Sequence, residues 1–256
     1  MKFGVFIPNT NNGFIISEAA PQYRPSFELS RELVQRAESY GFEFALSLVK
    51  YRGFGGATEH WNYSLDSPAL SAALAAVTER IRLIGSVAIL ATHPAVAAKT
   101  AATVQDVADG RFMLNIVSGW QKSEYGQMGL WPGDEHYGRR YDYATEYIQI
   151  CKELWETGVS NHKGDFFELD DCRMQPTPEQ EIQVVCAGSS DRGMRFTAEY
   201  GHYNFIFGAD VEALRATNQR LIAAGETAGR QVKSIATMHI IVADSDAEAQ
   251  ARVQRY

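Results

Sequence analysis

Apolar runs rich in β-branched residues alternate along this chain with longer stretches whose apolar positions recur every three to four residues, the pattern of repeated strand-then-helix units. The runs at 2–8, 43–48, 82–90, 112–117, 182–187, 203–207 and 234–243 predict strands. The stretches at 27–40, 67–79, 94–107, 139–157, 190–200 and 211–228 predict helices, so each strand is followed by a helix. The final DSDAEAQARVQRY, in which Ser245 can cap and Glu248 reach back, predicts the start of a seventh helix. This alternation is that of a (β/α)8 TIM barrel, read here as one domain over residues 1–256 with its eighth βα unit missing. A barrel lacking its last strand would leave two unpaired edges, and an open seven-stranded sheet is the alternative.

Two irregular regions interrupt the alternation, residues 49–66 after the second strand and 118–138 after the fourth. Barrel enzymes build their sites on loops at the C-terminal ends of strands, so these insertions are where chemistry is expected. A third segment, GDFFELDD at 164–171, follows a Lys-Gly turn and predicts a hairpin or lid. With 256 residues, 45% of them hydrophobic, the chain can bury one large core. Its net charge of -7 offers no field for nucleic acid or an anionic membrane surface. MKFGVFIPNT turns polar too soon for a signal peptide or a bilayer span, which points to the cytoplasm. Cys151, Cys172 and Cys186 are odd in number and lack metal-like spacing, and are read as reduced thiols.

Candidate chemistry collects at the strand ends. Gly188, Ser189 and Ser190 lie between the fifth strand and its helix, where free N–H groups would cradle a phosphate; a plain helix cap is the alternative. Arg140 and Tyr141, opening the helix after the fourth loop, could add a guanidinium and a phenol, whereas Arg139 is read as solvated. Asn115 interrupts the apolar run FMLNIV, where an amide is costly to bury unless it faces a ligand or a fixed network. Ser86 holds a comparable place in LIGSVAIL, although a serine satisfied by backbone fits there too. Trp120, Tyr125 and Trp131, with Glu124 and Asp134, could wall a flat ring, and Val49 and Lys50 offer an apolar side chain and a cation to such a ring. Asp134, Glu135 and His136 resemble a ligand cluster without a second half, so no metal is expected. GFGG at 53–56 lacks the spacing of a dinucleotide fingerprint.

Five segments carry a resemblance: NNGFIIS with APQY at 11–23, FALSLVKYRGFGG at 44–56, NIVSGWQKSEYGQMGLWPGD at 115–134, RRYDY at 139–143 and CAGSSDRGM at 186–194. Through them the chain resembles the bacterial luciferase-like flavin monooxygenases, and among these the pyrimidine monooxygenases, with RGFGG and QMGLWPGD narrowing the choice. The resemblance implies reduced FMN and O2 as reactants and cleavage of the ring amide of uracil or thymine to (peroxy)ureidoacrylate. It implies a separate NADH-dependent flavin reductase as partner and a homo-oligomer. FMN contacts are implied at Val49, Lys50, Asn115, Glu124, Arg140, Tyr141 and Ser190, with Asn115 and Ser86 orienting oxygen or the peroxide. The chain departs from the family pattern at Ser123, where proline is usual, and at Ser86, where threonine is. Three rivals stay open: an FMNH2-dependent sulfone or alkanesulfonate monooxygenase, a deazaflavin dehydrogenase, and a flavin-binding protein without turnover.

Overall fold

The computed structural model describes residues 1–256. The first half runs β1 (Gly4–Phe6), α1 (Phe27–Ser39), β2 (Phe44–Ser47), α2 (Ser67–Ala75), β3 (Arg82–Ala88), α3 (Pro94–Val107) and β4 (Phe112–Val117). A short α4 (Lys122–Gly126) and the long α5 (His136–Thr157) follow, then β5 (Val159–Ser160) and β6 (Cys172–Arg173). The chain continues through β7 (Gln183–Cys186), α6 (Asp191–Tyr200), β8 (Tyr203–Ile206), α7 (Val211–Thr227), β9 (Lys233–Ala236) and α8 (Asp246–Arg255). Aspartate and serine caps start most of these helices: Ser26, Asp66, Ser190, Asp210 and Ser245 each accept a first-turn N–H.

One seven-stranded sheet has the order β1-β2-β3-β4-β7-β8-β9, and every neighbouring pair is parallel. On one face apolar residues from every strand, Phe6, Phe44, Leu46, Ile84, Met113, Val185, Tyr203, Phe205 and Ile235, pack into a common inner cluster. Phe6 and Phe205 touch at 6.1 Å between ring centroids although four strands separate β1 from β8. In a flat sheet those strands would lie about 24 Å apart at the usual spacing, so the sheet is curled around its inner face. The larger core lies outside, between the sheet and the helices, where Val34, Leu74, Ala98, Ala101, Ile148 and Leu154 pack on strand residues such as Leu83 and Leu114. The alanine face of α3 lets that helix approach both the sheet and α5, and Trp155 Nε1 donates to Ala98 O at 3.0 Å across the contact.

Several expected boundaries move. The strand expected over 234–243 ends at Ala236, because β8 itself ends at Ile206 and offers no further ladder partner. Met238, Ile240 and Val242 beyond it are exposed. The first strand is likewise confined to Gly4–Phe6. The region 118–138, expected to be irregular, contains α4, and α5 begins at His136, ahead of the expected 139. The segment 164–171 is the tip of a wider antiparallel hairpin, with β5 paired to β6 and a bridge between Lys163 and Glu168. Glu146 holds the tip by accepting the N–H groups of Asp165, Phe166 and Phe167 at 2.9, 3.0 and 3.2 Å.

A second carboxylate makes a measurable joint. Glu38, at the end of α1, accepts the N–H groups of Glu79, Arg80 and Ile81 at 2.9, 2.6 and 2.9 Å and so fastens α1 to the turn entering β3. Burial pushes its carboxyl up, but the three backbone donors and the nearby Arg80 outweigh burial and hold it below the ordinary 4.5. A carboxylate depressed in the folded state contributes stability that is complete above its unfolded pKa and lost as pH falls through the folded value. Urea midpoints should therefore show Glu38→Gln less stable than the wild type at neutral pH, with the gap closing below about pH 4. A gap unchanged from pH 7 to pH 3 would contradict this account.

Candidate active site

Strands β2, β3, β4 and β7 lie side by side, and the polar residues at their C-terminal ends form one rim. Ser86 and Asn115 are register partners across β3 and β4. The Asn115 amide Nδ2 donates to Ser86 Oγ at 2.8 Å, and Ser86 Oγ donates to Ser47 O at 2.7 Å. Ser86 N donates in turn to Ser67 Oγ at 2.7 Å, so the serine is fixed from both sides. Because its one proton goes to the Ser47 carbonyl, Ser86 can only accept from Asn115, and this sets which way the amide faces. Asn115 Oδ1 is left buried without a hydrogen-bond partner, on a residue only 7% exposed. Such an atom calls for a donor. The free atom is an acceptor, suited to an N–H or O–H of a ligand. Ser86 acts as the anchor that aims it.

Lys50 and Glu124, expected separately, are brought together. Their side chains are 5% and 8% exposed and pair at 2.9 Å, and Lys50 Nζ also donates to Gln121. Glu124 Oε1 accepts Tyr51 N at 2.7 Å, so one carboxylate ties the loop after β2 to α4. Lys50 Nζ stands 4.7 Å from the Phe54 ring centre and 5.7 Å from that of exposed Trp120. Val49 packs behind, against the cluster of Ala88, Leu90 and Tyr125. The turn into this loop needs Gly119, whose φ is 72° and where a Cβ would come 2.7 Å from Leu90 Cδ1. Asp134 and His136 do not converge: Asp134 holds Lys122 at 2.7 Å, while His136 is buried near Ser118 O, with its pKa lowered by burial. No group of three His, Cys, Asp or Glu is arranged for a metal ion. The Cys186 thiol is pushed up to about 12 by burial and is no nucleophile at neutral pH.

At the end of β7, Ser190 caps α6 by accepting Gly193 N at 3.2 Å. Gly188 and Gly193 press together, and Tyr141 reaches the same spot from α5. A Cβ on Gly188 would lie 2.6 Å from Gly193 Cα and 2.7 Å from the Tyr141 hydroxyl. The Arg140 guanidinium stacks between the rings of Tyr137 and Tyr141, at 3.9 and 4.8 Å, and donates to Tyr137 O. Arg139 pairs with Asp165 at 2.6 Å on the surface.

A curled parallel sheet with these residues along one rim is matched over residues 1–256 by the family described as luciferase-like monooxygenase. The chain belongs to the luciferase-like monooxygenase family. It is 51% identical over 259 residues to the pyrimidine monooxygenase RutA of Serratia proteamaculans, an alignment covering 100% of this chain and 71% of that protein. Among solved structures it is similar to EDTA monooxygenase (EmoA) from Chelativorans sp. BNC1, with a TM-score of 0.87 at 19% identity, covering 100% of this chain and 66% of that one. Riboflavin lyase (RcaE), solved with modified FMN and riboflavin, gives a TM-score of 0.87 at 20% identity, over 100% of this chain and 66% of that one. At such identities the two structures speak for the fold.

Within this family member, sequence reasoning passed over two sets of asparagines. Asn9, Asn11 and Asn12, in a polar run that reads as an ordinary loop, are all buried. Asn9 exchanges hydrogen bonds with Leu48, Nδ2 to O at 2.7 Å and N to Oδ1 at 3.1 Å, extending the β1–β2 pairing by a side chain. Asn11 and Asn12 hold Thr58 O, and Asn11 also holds Glu59 O, fixing the loop after β2. Above it, Phe14 meets Phe6 at 4.8 Å and Trp61 at 5.1 Å, adding an aromatic wall at the same end of the sheet. The other omission is Asn204 in YNFI, fully buried on β8; it carries the signal that marked Asn115, an amide inside an apolar run.

Proposed function

We propose that this chain is an FMN-dependent monooxygenase that uses reduced flavin and O2 to cleave the ring amide of uracil or thymine, giving (peroxy)ureidoacrylate. The observation that carries the reading is the unpartnered buried acceptor of Asn115, beside the aromatic Lys50–Glu124 loop and the Tyr141–Gly188–Ser190 turn. The identity to a pyrimidine monooxygenase narrows the substrate class.

The residues present fit FMN. Gly188 and Gly193 pack directly on one another and on the Tyr141 hydroxyl, which fixes the turn, and the first-turn N–H groups of α6 would favour an anion there, with the helix dipole behind them. Ser190, Tyr141 and Arg140 would hold the phosphate, with Val49, Lys50, Asn115 and Glu124 around the ring system. When bound, the reduced flavin supplies electrons and activates oxygen. Asn115 Oδ1 would accept an N–H of a planar ring and fix its rotation, Ser86 keeps that oxygen aimed, and the exposed rings of Phe54 and Trp120 stand over the buried Lys50–Glu124 pair on one side. Reduced flavin comes from a separate NADH-dependent reductase, since the chain carries no dinucleotide fingerprint of its own. The curled sheet fits a (β/α)8 barrel in which an eighth strand would lie between the free edges of β1 and β9.

The test is product analysis. With NADH, FMN, a flavin reductase, oxygen and uracil, mass spectrometry should detect ureidoacrylate or its peroxy form. No loss of uracil or thymine together with turnover of a sulfone would replace this reading with the carbon–sulfur one. Product formed anaerobically would favour hydride transfer.

A further inference from the structure

The turn that would hold the phosphate is itself held by a residue outside the rim. Asn204 on β8 is fully buried, and its amide uses all four hydrogen-bonding positions. Oδ1 accepts Gly188 N at 3.2 Å and Thr197 Oγ1 at 2.9 Å, while Nδ2 donates to Gly188 O and Phe205 O, each at 3.1 Å. Both backbone groups of Gly188 are thus gripped by one side chain and fix the orientation of the amide, because a flipped amide would set its NH2 against the Gly188 N–H and its oxygen against the carbonyls of Gly188 and Phe205. Thr197 Oγ1 also lies 3.0 Å from Gly193 O, so the same network reaches the first turn of α6 from below. Gly188, Gly193 and the Tyr141 hydroxyl crowd the opposite side.

We infer that Asn204 is a positioning residue for the anion cradle: with Thr197 it clamps Gly188 so that the turn and the α6 N-terminus are preformed for a phosphomonoester. This rests on the reading of the cradle as the FMN phosphate site. Asn204 touches no ligand and acts through the backbone. An apolar strand residue at this position would pack equally well but leave Gly188 N–H and C=O unpaired in the interior, where the turn would have to move to find other partners. The cost falls on phosphate recognition, because the residues proposed around the ring system stand elsewhere, Val49 and Lys50 in the loop after β2, Asn115 on β4 and Glu124 on α4.

The experiment compares dissociation constants for FMN and riboflavin, read by flavin fluorescence on the full chain, for the wild type, Asn204→Leu and Thr197→Val. The wild type should prefer FMN strongly. Asn204→Leu should lose roughly tenfold of that preference through weaker FMN binding with riboflavin binding unchanged, and Thr197→Val a smaller part in the same direction. Hydrogen exchange of the ligand-free protein should show faster exchange at Gly188 in Asn204→Leu. Folded variants that keep the wild-type preference would overturn the role of Asn204, as would equal weakening of both flavins. Should Asn204→Leu fail to fold, a wild-type preference in Thr197→Val overturns it alone. A wild type that does not distinguish FMN from riboflavin would instead overturn the cradle reading, and the inference with it.

Discussion

Glu124→Ala is expected to abolish most turnover and to loosen the loop from Gln121 to Trp131. The carboxylate it removes has two partners: the Lys50 ammonium, with a side chain only 5% exposed, and the Tyr51 N–H. An isolated buried pair is no reliable source of stability, but removing one member leaves the other charged and unpaired, at about 3–5 kcal/mol. Lys50 still has Gln121 and the Phe54 ring, so the lower part of that range is expected. The loss should appear as a lower urea midpoint and as faster proteolytic cutting within residues 118–131. Turnover should fall by about a hundredfold, because the same contact joins the loop after β2 to α4 and sets both walls of the site. The double replacement Lys50→Met with Glu124→Leu should be more stable than either single one, since neither charge is then stranded. A double variant as unstable as the sum of the singles would show that the pair is not coupled as described.

Asn115→Leu separates chemistry from stability. Ser86 Oγ keeps its bond to Ser47 O when the amide is gone, and the replacement removes a buried oxygen that had no partner. Thermal melting should therefore shift by less than the equivalent of about 1 kcal/mol. Turnover should drop by about a hundredfold, since the loss leaves a ligand N–H unpaired in a buried site at a cost of about 1–3 kcal/mol. Asn115→Asp keeps an acceptor facing the ligand but sets a second acceptor against Ser86, which must turn its proton away from Ser47 O. It should lie between the wild type and the leucine variant in rate and below both in stability. Full turnover by Asn115→Leu with flavin bound would remove this residue from the site.

The alternation of strands and helices was legible because each unit forms by local periodicity and capping, and the seven strands stand in sheet order as they do along the chain. Asn115 and the Gly188–Ser190 turn were legible for a related reason: a polar residue in an apolar run, or glycine before a helix cap, is anomalous on its own. Asn204 was equally anomalous and was overlooked. Asn9 gave no signal, since polar residues after a strand are what any loop contains, and Asn11 and Asn12 entered only through the NNGFIIS motif, with no role attached.

The sequence by itself determined the fold class, the end of the sheet where the polar candidate residues gather and the family, because periodicity, capping and dense motifs depend on neighbours along the chain. The tertiary structure alone decided how far β9 extends, that Lys50 faces Glu124, and that Asn115 presents an acceptor and not a donor. Each of these turns on hydrogen-bond partners far away in sequence. A strand stops where its neighbour stops, a buried charge is defined by the group that meets it, and the direction of an amide is set by the one proton of a serine on the adjacent strand.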